Sequence, residues 1–139
     1  MDAEATVRDY YEALREGDPL PPYFLESDRT VKFGVGERLT GYDEVSAGLR
    51  DQTATTAGWE VTSSRLLVEE RADGAWFSDD VFMGWNDTDA GVRHEFDTRW
   101  SGPMVRLGEA ELGGERDPGP GRWRFAGMHV SVSVRGRRG

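Results

Sequence analysis

Ala75-Trp76-Phe77-Ser78-Asp79-Asp80-Val81-Phe82-Met83-Gly84-Trp85 decides the fold class. The run is rich in aromatic and branched residues and contains no proline, so it reads as a long strand. Successive side chains in a strand point to opposite faces. Trp76, Ser78, Asp80 and Phe82 therefore share one face, and Phe77, Asp79, Val81, Met83 and Trp85 share the other. Both faces carry apolar groups, so both require a cover. Helices supply one cover, and a second copy of the chain is the simplest source of the other.

Strand texture extends on both sides of this run. Residues 59–70 precede it across the Arg71-Ala72-Asp73-Gly74 turn, and residues 92–107 follow Asn86-Asp87-Thr88-Asp89-Ala90-Gly91. A Gly- and Pro-rich connection then leads to a last strand over 122–134. In that strand Trp123, Phe125, Gly127, His129 and Ser131 fall on one face if alternation is unbroken.

The N-terminal part has a different periodicity. Val7, Tyr10, Tyr11 and Leu14 follow helical spacing, which predicts an amphipathic helix over 3–16, closed by Gly17 and Asp18-Pro19. Pro21-Pro22-Tyr23-Phe24-Leu25 permits only a short turn or helical stub. Residues 30–35 alternate as a strand, the glycines at 34, 36 and 41 open a hairpin-like link, and a second helix runs from Thr40 to about Thr53. Helices first and an antiparallel meander afterwards indicate an α+β domain over 1–134, its helices covering one face of a curved sheet. Residues 135–139 read as a frayed basic tail.

Composition narrows the function classes. The 139 residues carry 17 basic and 26 acidic side chains, a net charge of −9. Such a surface repels phosphate backbones and anionic lipid, so neither nucleic acid nor a membrane is an expected partner. Sixteen of the basic residues are Arg and only Lys32 is Lys, a balance expected of a surface adapted to concentrated salt or of a GC-rich genome. No cysteine is present, which removes disulfides, thiolate metal sites and cysteine nucleophiles. There is no apolar run of about 18 residues and no basic, greasy leader, so a cytoplasmic location is expected. Phosphate-binding loops, the G-x-S-x-G elbow and H-E-x-x-H are absent. His94 and His129 lie 35 positions apart and make no local metal pair, so neither a metal nor another cofactor is expected.

Several segments together carry a resemblance. They are the Tyr10-Tyr11 helix, Glu26-Ser27-Asp28-Arg29-Thr30-Val31-Lys32-Phe33-Gly34, the Gly36–Gly41 link, Ala75–Asp80, Arg99, and the segment from Trp123 through His129 to Ser131. In order and spacing they resemble the SnoaL-like branch of the NTF2-like superfamily, over residues 3–134. The resemblance implies a cone of three N-terminal helices on a strongly curved antiparallel sheet, a pocket between them, and a homodimer packed through the sheets. Members include isomerases, cyclases, epoxide hydrolases, dehydratases and pure binders, so the fold leaves the activity open. Its enzymes place an Asp, or an Asp–Arg–Asp set, in the pocket. The loop over 108–121 is longer than the usual strand link and is expected to lean over the pocket or the dimer seam.

On this reading Asp80 is the expected pocket carboxylate, because desolvation among aromatic groups would raise its pKa and poise it as a base. His129 is the second candidate catalytic group. Tyr10, Trp76, Arg99 and Trp123 are the candidate binding residues, with Tyr10 or Tyr11 facing the cavity and the other facing the core. The structural readings are a cross-strand Asp80–Arg99 ion pair and a His129 satisfied by Ser131 or a helix carbonyl. The expected function is binding of a small, largely apolar ligand. An isomerase, cyclase or hydratase using Asp80 or His129 as general base is the alternative, and a non-catalytic dimerisation module is the third possibility.

Overall fold

The computed structural model describes residues 1–112 and 120–132. The tail over 135–139 and residues 113–119 of the 108–121 loop lie outside the described residues. Helix α1 spans Ala3–Glu16, as its periodicity requires. The Asp2 side chain caps its first turn, and Gly17 closes it with a left-handed backbone, φ 72°. A single 3-10 turn, Pro21–Tyr23, stands where the double proline precludes a longer helix. Strands β1 (Val31–Gly34) and β2 (Glu37–Thr40) form a hairpin, and α2 follows over Tyr42–Thr55. The described residues therefore hold two α-helices and one 3-10 turn rather than three full helices. Neither helix is long and apolar enough to cross a membrane.

The remaining strands are β3 (Thr56–Ser63), β4 (Leu67–Glu70), β5 (Gly74–Asp87), β6 (Val92–Arg106), β7 (Trp123–Phe125) and β8 (Gly127–Ser131). They form one sheet ordered β2-β1-β8-β6-β5-β3, with β4 also on β5 and β7 also on β6. The sheet is mixed rather than wholly antiparallel, because β1 runs parallel to β8.

Two expected strands are broken, each for a local reason. The 59–70 strand parts at Ser64–Leu66, where the Arg65 amide donates to the Asp79 side chain instead of to a ladder carbonyl. The 122–134 strand parts at Ala126. Met104 pairs with Phe125 whereas Ser101 pairs with His129, so four steps on the last strand face three on β6. This extra residue is a β-bulge. Gly102 sits opposite the bulge, and any side chain there would collide with the Gly127 carbonyl oxygen.

The core lies between the helices and one face of the sheet. Tyr10 packs edge-on against Tyr23, Phe24, Phe125 and Trp100 at ring separations of 5.3–6.3 Å. Helix α2 touches β1 and β2 at one edge and β3 at the other. In a flat sheet β1 and β3 would stand about 19 Å apart, more than the roughly 10–12 Å width of a helix. The sheet must therefore curl around α2, and the curl leaves space inside.

Candidate functional site

That space is a hollow of about 290 Å³ beneath α2. Its floor is the inward face of the sheet, with Met83, Trp85, Trp100, Met128 and Val130, and α1 adds Tyr10. At the β3 side, Trp59 and Trp85 stack with ring centres 4.9 Å apart. At the β1 side stand Lys32 and Glu37, with Nζ 2.9 Å from Oε1.

Each of these positions follows from local geometry. Lys32 lies between Val31 and Phe33, so alternation turns it to the face opposite Phe33, which is inward. Its side chain is only 7 % exposed, whereas that of Glu37 is 43 % exposed. Glu37 reaches back over β1 because Gly34 leaves room: a Cβ there would sit 2.6 Å from Glu37 Oε1. Tyr10 is fully buried and its hydroxyl has no hydrogen-bond partner among the described residues. Burial, reinforced by the Glu37 charge, pushes its phenol well above the ordinary range, so it is a protonated donor at neutral pH. The hollow thus combines an ammonium–carboxylate pair, an aromatic wall, an unused donor and, from α2 and the end of β5, the polar groups of Asp51, Gln52, Thr55 and Asp87.

The neighbouring tyrosine does different work. Tyr11 donates to Asp79 Oδ2 at 2.8 Å, inside the core. Asp79, not Asp80, is the buried carboxylate of the doublet.

Of the residues singled out in the sequence, only Tyr10 lines the hollow. Asp80 and Arg99 are exposed cross-strand partners on the outer face of the sheet. Asp80 lies 3.9 Å from Arg65, not within ion-pair distance of Arg99. His129 is exposed on that same face, its ring 5.2 Å from Phe33. Asp80, Arg99 and His129 do meet, with Ser78, Ser101 and Ser131, in a shallow outward depression. Trp76 is 54 % exposed beneath Arg71. Trp123 is buried in the core without bordering the hollow.

These departures have two causes. Alternation sorted β5 correctly into two sets, but both sets are apolar enough to be the covered one. For His129, the bulge at Ala126 inverts the alternation, so Phe125 points inward and His129 outward. Sequence reasoning missed Lys32 and Glu37 as lining groups. The available signal was a solitary lysine in an otherwise apolar strand. Among the described residues, no group of three or more His, Asp or Glu could hold a metal ion.

A family model described as the SnoaL-like domain matches residues 3–135. The chain belongs to the SnoaL-like family. Solved structures extend this SnoaL-like assignment to the wider fold. An NTF2-like superfamily protein from Salmonella enterica shares 14% identity at TM-score 0.72, covering 93% of this chain and 87% of that one. A dehydratase candidate of the NTF2-like family from Streptomyces avermitilis shares 16% at TM-score 0.73, covering 93% and 91%. A ketosteroid isomerase-like protein from Erwinia carotovora atroseptica shares 16% at TM-score 0.69, covering 93% and 92%. At these identities the likeness is one of fold. No functionally curated protein matches this SnoaL-like chain.

Proposed function

We propose that this SnoaL-like protein binds a small, largely apolar molecule in the hollow between α2 and the sheet. One observation carries the reading. The curled sheet leaves about 290 Å³ unfilled by the protein's own side chains, walled by Trp59, Trp85, Trp100 and Met128. Sites of this kind are concavities with an apolar wall and placed polar groups, and here Tyr10, Lys32 and Glu37 are among those groups, with Asp51, Gln52 and Asp87 also bordering the hollow. Saturation-transfer NMR with benzyl alcohol tests it. Transfer to the ligand is expected with the native chain and should vanish in Val130→Phe, which fills the floor. No transfer with the native chain, or equal transfer in the folded variant, overturns the reading.

A second proposal concerns the outer face, where Leu67 is 65 % exposed and Trp76 54 %. A monomer gains nothing by presenting such groups together beside Pro103, and a second copy would bury them. We read this face as the seam of a homodimer.

A further inference from the structure

We propose that Lys32 captures a carbonyl ligand, a small aldehyde or ketone with an apolar body, as an imine inside the hollow. The proposal rests on the binding reading above and adds the ligand's chemical class and its mode of attachment. Lys32 is the chain's only lysine, and it is placed at the end of a cavity rather than on the surface where lysines usually lie. A buried ion pair contributes little net stability, because desolvation offsets the attraction. An ammonium has three donors and Lys32 uses one, on Glu37. Lys32, with two N–H groups uncommitted, and Tyr10, with its unpartnered hydroxyl, line the same hollow. A carbonyl compound meets both needs, with an oxygen for the donors and an electrophilic carbon for the amine.

The step balances without any further reagent. Glu37, at 2.9 Å, accepts a proton from the Lys32 ammonium. The freed Nζ lone pair attacks the carbonyl carbon, and the C=O π pair moves to oxygen, where Tyr10 donates a hydrogen bond. The Nζ proton passes to that oxygen and gives a neutral carbinolamine. Glu37 returns its proton to the carbinolamine hydroxyl, the C–O bond breaks and water leaves. The nitrogen lone pair then forms the C=N bond of a protonated imine. One C–N bond is made, one molecule of water is released, and Glu37 ends as the carboxylate it began as. Because its side chain is half open to solvent, Glu37 can also exchange protons with bulk water.

The full chain incubated with benzaldehyde and sodium cyanoborohydride tests this, with the adduct located by peptide mass mapping. In the chain tested, the α-amine of Met1 serves as an internal control. The expected result is an adduct at Lys32 that forms faster than that at Met1, saturates with aldehyde and is suppressed by benzyl alcohol. Glu37→Gln should lower the labelling rate at saturating aldehyde by on the order of 100-fold. If benzyl alcohol binds and Lys32 stays unmodified, or reacts no faster than Met1, the imine proposal is overturned and the binding reading stands. If benzyl alcohol neither binds nor competes, the binding reading itself falls.

Discussion

The Tyr11 hydroxyl donates to Asp79 Oδ2 at 2.8 Å, and the other Asp79 oxygen accepts the Arg65 amide at 2.9 Å. One carboxylate, 3 % exposed, thereby ties the first helix to the gap between β3 and β4. Tyr11→Phe leaves that oxygen buried without its donor. The loss should be about 1–3 kcal/mol, read as a lower urea midpoint at constant slope. An unchanged midpoint would contradict the assignment of this pair to the core.

Alkali should unfold the protein as its tyrosines ionise. Burial raises the phenol pKa of Tyr10, Tyr11 and Tyr23 above the ordinary range, with the Asp79 and Asp9 carboxylates adding to the effect at Tyr11 and Tyr23. A raised folded value means that the fold favours the protonated phenol. That contribution is fully present below about pH 10, the unfolded value, and is lost as pH rises through the folded values. An absorbance titration followed beside circular dichroism should show these phenolates appearing only with unfolding. Three phenolates forming near pH 10 in a native chain would refute the burial argument.

Gly34→Ala should dislodge Glu37. Its Cβ would lie 2.6 Å from Oε1 and 2.9 Å from Cγ, and the flexible carboxylate is what can move. Lys32 then stands buried without its partner, at a cost of about 1–3 kcal/mol. In a Lys32→Met background the same glycine substitution should cost less than half as much, since no charge remains to be stranded. Equal costs in both backgrounds would show that the ion pair is not what Gly34 protects.

The outer face gives an association test. Sedimentation equilibrium should report a dimer for the native chain and a shift toward monomer for Trp76→Glu. That variant introduces a charge at a position already half exposed, so its thermal midpoint should hold to within a few degrees. A native chain that stays monomeric across the accessible concentration range defeats the seam.

Much of the fold was legible because it follows from periodicity. Val7, Tyr10, Tyr11 and Leu14 placed α1 to the residue, and the Pro21-Pro22 pair limited the next segment to one turn. The site was far less legible. Tyr10 was identified, yet Asp80 and His129 point to the other side of the sheet from the hollow. Asp80 and Arg99 do stand opposite each other across the β5–β6 hairpin, but without the ion pair expected of them. What that pairing could not supply was the side of the sheet on which α2 lies.

By itself, then, the sequence determined the helices, the strand-rich C-terminal half and which residues of β5 share a face. Those properties depend on neighbours within a few positions, where backbone geometry imposes its own period. The tertiary structure alone decided which of two apolar faces became interior, where the last strand gained its extra residue at Ala126, and that Lys32 and Trp85 border one cavity. These outcomes depend on how the sheet curls around α2, and the closing contacts join residues that no local spacing relates.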